Sequence, residues 1–359
     1  MENARNAEQN GKYKLGIVSY SSRTGLGYQT KAIYDNLKPD VTLLVDLSRF
    51  NNMPVNYDWY KEGDVMIYKG IPDNGTVHKF VDKCTSILVC ETPLNYELFR
   101  YAKEKGVKVY QQINPEFIDY YRHPEYERPT MVLNPTNYME NQIRGLNINY
   151  KWLPLPIEIK KKREIKELKT IGHIVGRPTY MDRNGTIEFL EAVEKLGNRF
   201  SYVLYYQEPK DARAMEYFKP VFEKMVEIQK LGLNFKVIAN LENNEDMYKE
   251  MDLLVLPRKY GGLCLPAREA LGHGIPVIMP NIDPNYSELP KEWLFQAELI
   301  GSFYFHAPVN VFKSDVDSII RKINEIEPYI ENYNTTAYSI ALRLSWEVLK
   351  PLYQQILNG

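Results

Sequence analysis

The sequence predicts an α/β protein built from two doubly wound halves, each a parallel sheet between layers of helices. Three observations carry this expectation. Short β-branched runs alternate with longer amphipathic stretches, the alternation halts at a proline-bearing connector, and it then resumes. At 359 residues the chain also exceeds what one hydrophobic core usually serves, so two domains are expected. Sheets of this kind bind ligands beyond the carboxyl ends of their strands, which would bring the loops of both halves to a central cleft.

In the first half, residues 14–20, 41–47, 64–68, 86–90 and 107–111 read as strands, and 28–37 and 96–105 as helices between them. The connector is Leu153, Pro154, Leu155, Pro156 and Ile157, where prolines at alternate positions favour an extended chain. In the second half, strands are expected at 170–175, 202–205, 235–238, 252–256 and 277–279, and a helical tail over 335–357. The basic run 160–169 has interleaved glutamates and helical spacing of Ile165 and Leu168, so it reads as a solvated face rather than a nucleic-acid patch. The domain boundaries expected are 1–153, 154–334 and a returning segment, 335–359.

Composition narrows the classes. A hydrophobic fraction of 44% with 25% charged residues is that of an ordinary soluble protein. No apolar run approaches the roughly 20 residues of a membrane span, and the first dozen residues lack the apolar centre of a signal peptide, so a cytoplasmic chain is expected. Cys84, Cys90 and Cys264 form no CxxC pair, and the five histidines have no metal-site spacing. A net charge of -1 does not announce a nucleic-acid binder.

Four stretches carry candidate chemistry. Residues 257–280 follow a buried strand; Gly261 and Gly262 let backbone N–H groups approach an anion, and a helix bearing Glu269 follows before Gly272 and Gly274. The first strand runs into a loop with Gly25 and Gly27. With Asp46 at the end of the second strand, this fits a dinucleotide site, although Thr30 replaces the third glycine. A plain tight turn is the other reading of that loop. Gly176 and Arg177, then Asp182, Arg183, Asn184 and Gly185, lead from a strand into a helix and place two cations beside its N-terminus. Asp315 and Asp317 spell a DxD motif but open a helical stretch, so they read as an N-cap, and no metal is expected.

The 257–280 stretch, together with Gly176-Arg177 and Arg183 about 80 residues earlier, resembles the GT-B glycosyltransferases of family 4, the group 1 glycosyl transferases. Their Glu-x7-Glu pattern matches at Glu269, but its first glutamate falls on Gly261, and Arg183 stands where lysine is usual. The resemblance implies a GT-B fold with two Rossmann-like domains and a UDP- or GDP-sugar as co-substrate, with no obligatory cofactor. It also implies sugar transfer to a hydroxyl with retained configuration. Arg177 and Arg183 would stabilise the leaving diphosphate, and Gly25, Gly27, Gly262, Leu263, Cys264, Leu265 and Pro266 would line it. Asn240 and Leu241 would face the base and Glu269 the ribose. The first domain would hold the acceptor, with Glu91 as a catalytic acid or base and Asn95, Glu116, Asp119 and Tyr120 around it.

Residues 261–266 with 280–285 and 287–290 also resemble phage-encoded transferases, which raises a hydroxylated or hydroxymethylated base in phage DNA as acceptor, in the host cytoplasm. A cell-wall or small-molecule glycoside is the other acceptor class. A nucleotide-sugar epimerase and an NAD-dependent oxidoreductase are the alternative activities.

Overall fold

The structure, a computed structural model, describes residues 13–358 except 52–54, 124, 177–180, 210 and 242. The chain divides into two compact units. One comprises Met1–Pro135, Met139–Pro156 and Trp346–Gly359, and the other Thr136–Tyr138 and Ile157–Ser345. Among the described residues, no helix is long and apolar enough to cross a membrane.

The first unit holds a parallel sheet of β1 (Leu15–Tyr20), β2 (Val41–Asp46), β3 (Asp64–Lys69), β4 (Ser86–Glu91), β5 (Lys108–Ile113), β6 (Met131–Asn134) and β7 (Tyr150–Trp152). Their order is β3-β2-β1-β4-β5-β6-β7. Every residue of β1 and β2 is buried, as expected where helices cover both faces of a parallel sheet. The order reverses between β1 and β4, so the loops after these two strands flank the crevice where such a sheet binds ligands. The strands β6 and β7 lie beyond those expected.

The second unit repeats the plan with β8 (Thr170–Gly176), β9 (Ser201–Tyr206), β10 (Phe235–Ala239), β11 (Leu253–Val255), β12 (Val277–Pro280) and β13 (Leu294–Phe295), in the order β10-β9-β8-β11-β12-β13. Its reversal lies between β8 and β11. The two strands are joined there by His173, a buried residue whose Nδ1 donates to the Val255 carbonyl at 2.8 Å and whose Nε2 meets the Thr186 hydroxyl at 3.0 Å. Burial, the leading cause, drives its pKa down to about 4, so it serves as a neutral internal strut.

A hairpin absent from the sequence reading, β14 (Ala297–Tyr304) and β15 (Pro308–Ser314), stands outside the parallel sheet. Its inner residues Val309 and Val311 pack with Tyr260, and the Phe312 N–H donates to the Lys259 carbonyl at 2.9 Å. Asp315 caps the following helix, accepting from the Asp317 N–H at 3.1 Å, while Asp317 pairs with Lys195 at 2.7 Å. The DxD spelling is thus consumed by local structure.

The expected returning segment is divided. Residues 335–343 continue the helix Ile330–Arg343 of the second unit, and the helix Trp346–Asn358 alone joins the first. There the Tyr353 hydroxyl receives a hydrogen bond from Gln112 at 3.0 Å and donates to the Pro154 carbonyl at 3.1 Å. The Ser86 hydroxyl donates to the Leu357 carbonyl at 2.8 Å.

Candidate functional site

In the second unit, the loops after β8 and β11 meet at the reversal point of the sheet. Gly185 has φ +67, and a Cβ there would fall 2.0 Å from the Pro257 carbonyl oxygen, so only glycine lets these loops touch. Asn184 anchors the first loop by donating to the carbonyls of Ile174 and Val175, both at 3.0 Å.

Arg183 lies against the second loop. Its Nε donates to the Tyr260 carbonyl at 3.4 Å, and its guanidinium sits 5.2 Å from the centre of the Tyr260 ring. Arg258, which sequence reading overlooked, donates from Nε to the same carbonyl at 2.9 Å and from Nη1 to the Leu263 carbonyl at 3.2 Å. Two guanidinium groups therefore converge on one turn. Gly261, between them, has φ +107, and a Cβ would lie 2.1 Å from Arg183 Nη2 and 2.7 Å from Arg258 Nη2. A glutamate here, as the resembled pattern has it, would be strained at this φ and would push both guanidinium ends aside.

At the N-terminus of the helix Thr186–Leu196, two of the backbone donors are already engaged. The Asp182 carboxylate already accepts from the N–H groups of Thr186 and Ile187, at 2.8 and 2.9 Å. Close by, Lys259 pairs with Glu188 at 3.0 Å and approaches Asp182 at 3.8 Å. Burial raises the Glu188 carboxyl, and the Lys259 charge opposes that rise. Arg177 lies outside the described residues.

Gly262 packs under Tyr138, and Leu263, Cys264, Leu265 and Pro266 are partly exposed where the helix Leu265–Gly272 begins. One turn in, Glu269 accepts at Oε2 from the Tyr248 hydroxyl at 2.6 Å. Tyr248 is buried and stacks on His273 with ring centres 5.1 Å apart. Burial raises the Glu269 carboxyl above the ordinary range, while Tyr248 and the nearby Lys160 hold it down. Sequence reading missed Tyr248 and Lys160, since neither stands in the motif. Asn240, at φ +50, exchanges bonds with Glu208: its Oδ1 accepts from the Glu208 N–H at 3.0 Å and its Nδ2 donates to the carboxylate at 2.8 Å. Leu241 packs against the core, and the turn continues into the 3-10 helix Asn244–Tyr248.

In the first unit, Gly25 opens the helix Gly25–Leu37, and a Cβ on Gly27 would meet the Ser22 carbonyl oxygen at 1.8 Å. Thr30 fills the place of a third glycine, accepting from the Tyr20 N–H at 3.2 Å and donating to the Gly27 carbonyl at 3.1 Å. The Asp46 carboxylate accepts from the Ser48 N–H at 2.8 Å and the Tyr57 hydroxyl at 2.5 Å. Burial opposes its charge, but these bonds outweigh it and hold the carboxyl below its ordinary range.

Glu91 ends β4 with φ +65, a strained conformation for a residue with a side chain, and its backbone carbonyl accepts from Gln111 at 2.7 Å. Its Oε1 receives the Asn114 amide at 3.3 Å. Burial raises this carboxyl, and the charge of Glu116 raises it further. Glu116 itself is 6% exposed. Asn95 instead staples loops together: its amide donates to the Pro72 carbonyl at 3.0 Å and Asn74 at 2.9 Å, and its oxygen accepts from the Glu97 N–H at 3.0 Å. Asp119 pairs with Arg122 at 2.7 Å. Tyr120 joins Tyr96 and Tyr126, with ring centres 5.0–5.3 Å apart; the latter two were not singled out in the sequence.

No protein-family model and no curated protein matches this sequence. Solved structures do match. A glycosyltransferase from Rickettsia africae ESF-5 superposes with a TM-score of 0.69 at 12% identity, over 97% of this chain and 100% of that one. Anabaena HepE, solved in complex with UDP and glucose, gives 0.69 at 11% identity over 97% and 100%. Sucrose-phosphate synthase from Thermosynechococcus elongatus gives 0.69 at 13% identity over the same shares. The likeness is one of fold, and the chain has the GT-B fold.

Proposed function

We propose that this chain is a glycosyltransferase that moves a sugar from a nucleoside diphosphate sugar, a UDP- or GDP-sugar, to an acceptor hydroxyl. The observation that carries the reading is the convergence of Arg183 and Arg258 on the Tyr260 turn, followed one loop later by Glu269. Two permanent cations in one turn match a diphosphate, and a half-enclosed carboxylate with one oxygen held by Tyr248 presents the other to the hydroxyls of a ribose. The backbone of 262–266 would follow the phosphates, with Asn240 and Leu241 toward the base.

In the proposed reaction the bond between the sugar's anomeric carbon and the diphosphate oxygen breaks, and the acceptor oxygen bonds to that carbon on the same face. The acceptor's proton passes to the departing phosphate, whose growing charge Arg177 and Arg183 stabilise; configuration is retained. Glu91 orients the acceptor hydroxyl. The acceptor classes that accompany this reading are a hydroxylated or hydroxymethylated base in phage DNA and a cell-wall or small-molecule glycoside. HepE, whose structure holds UDP and glucose, lends support through fold alone.

A thermal-shift panel of UDP, GDP, UDP-glucose, GDP-mannose and NAD tests the proposal, since a ligand that binds only the folded state raises its apparent stability. Stabilisation by one nucleoside diphosphate and its sugar conjugate is expected. Stabilisation by NAD alone would overturn it.

A further inference from the structure

We infer that the outer edge of the β14–β15 hairpin is a self-association surface, on which β14 of one copy pairs antiparallel with β14 of a second copy about a two-fold axis at Ser302. This pairing is independent of the sugar-transfer chemistry.

Two hydrogen bonds fix which backbone groups of the hairpin face outward. The Phe305 N–H donates across the turn to the Ala307 carbonyl at 3.0 Å, and the Phe312 N–H turns away from β14 to the Lys259 carbonyl at 2.9 Å. Inward and outward pairs alternate along an antiparallel ladder. Counted from either bond, Ser302 with Asn310 and Tyr304 with Pro308 are outward pairs, so the backbone N–H and C=O groups of Ser302 and Tyr304 point away from β15. On its far side β15 lies against the Lys259 loop, whereas β14 is the exposed strand of the two.

Its side chains are apolar. Leu299, Ile300, Tyr304 and Phe305 are 58%, 54%, 68% and 48% exposed. Exposed apolar residues scattered singly are ordinary, but these four fall on one strand and its turn and make a patch. Lysine or proline commonly guards an edge strand, and β14 has neither. Its one charged residue, Glu298, stands opposite Lys313 of the same hairpin.

The patch is complementary to itself. The bulge at Ile300 interrupts regular pairing at one end and the turn does so after Tyr304, which leaves Ser302 at the middle of the stretch that another strand can meet. With Ser302 opposite Ser302 of the second copy, Ile300 comes opposite the second copy's Tyr304, and Leu299 opposite its Phe305. The two-fold axis repeats each pair. No like charges meet, since the two Glu298 carboxylates fall at opposite ends, each beside the His306 turn of the other copy. The four side chains and the backbone between them offer on the order of 500 Å² per copy, about 1,000 Å² in total, the least that a specific interface buries. Val309 and Val311 stay packed on Tyr260 beneath the resulting four-stranded sheet.

The test is sedimentation velocity on the full chain from roughly 1 to roughly 100 μM, the range suited to an interface of modest area. A concentration-dependent shift from monomer to dimer is expected. Ser302→Pro removes an outward N–H but none of the hairpin's own ladder, and Ile300→Lys sets a charge on the edge; each should weaken the dimer roughly tenfold or more. Ile67→Lys, on the exposed edge strand β3, is the control and should change nothing. A monomer at every concentration would overturn the inference. So would a dimer unchanged in both hairpin variants, or one lost in Ile67→Lys instead. Melting curves show that each variant is folded, and UDP and GDP thermal shifts on the same samples report on the transferase reading separately.

Discussion

The Tyr248 hydroxyl donates to Glu269 Oε2 at 2.6 Å from a position with only 1% of the tyrosine exposed. A residue on the 3-10 helix Asn244–Tyr248 thereby fixes the carboxylate on the helix Leu265–Gly272. Tyr248→Phe should keep the ring stacked on His273 and remove the bond. We expect a loss of about 1 kcal/mol in stability and weaker nucleoside diphosphate binding, read by denaturant melts and by titration calorimetry. Unchanged binding would mean that Glu269 does not meet the nucleotide.

Burial lifts the Glu269 carboxyl above its ordinary value of 4.5. A raised carboxyl favours the folded state fully below the unfolded pKa, and that advantage is lost as pH rises through the folded pKa. Glu269→Gln should therefore be at least as stable as the parent at neutral pH, with the difference closing toward pH 4.5 and below. Nucleotide affinity in the parent should fall on acidification with a midpoint above 4.5, because only the carboxylate accepts two ribose hydroxyls. Melting and titration series across pH check both.

Arg183→Ala should lower turnover by roughly two to three orders of magnitude with the fold intact, the loss expected when one preorganised charge is removed from a developing anion. Arg183→Lys should recover only part, since the ammonium lacks the planar fork. Donor hydrolysis or transfer rates measure both.

Gly261→Glu restores the letter of the family pattern and should not restore its role. At φ +107, with Arg183 Nη2 2.1 Å from the new Cβ, the substitution should displace both guanidiniums and destabilise the loop by about 1–3 kcal/mol. A variant that melts like the parent and binds donor more tightly would show that the turn adapts.

Asp46→Ala separates the nucleotide reading from the oxidoreductase one. Asp46 accepts from Ser48 and Tyr57, so its loss should cost stability without altering the response to UDP or GDP, and NAD should stabilise neither protein. Its carboxyl is held below 3.8, so its contribution is present above that pH and disappears as pH falls through the folded value.

The central strands of both sheets were legible because strands buried on both faces become largely apolar runs, as in Leu15–Tyr20. The strands β6 and β7 were not; β7, Tyr150–Trp152, is largely exposed with Lys151 at its centre, so no buried apolar run marks it. The hairpin escaped because Ala297–Tyr304 is mostly exposed, with its apolar residues on no consistent face. At the candidate site, Arg183 and Glu269 stand in recognisable local patterns. What surrounds them is remote in sequence: Tyr248 reaches Glu269 across 21 positions, and Tyr260 meets Arg183 across 77. Tyr96 and Tyr126 were hidden among 28 tyrosines, since only folding shows which of them share a surface.

The division of the chain has a consequence for its synthesis. Between Pro156 and Trp346 the ribosome must translate residues 157–345, roughly 10–40 s of elongation at 5–20 residues per second. Throughout that interval the first sheet exists without the helix whose Tyr353 bonds Gln112 and whose Leu357 carbonyl receives Ser86. The surface on which Trp346, Leu349, Tyr353, Ile356 and Leu357 are buried therefore stays open on the nascent chain until residues 346–358 have emerged.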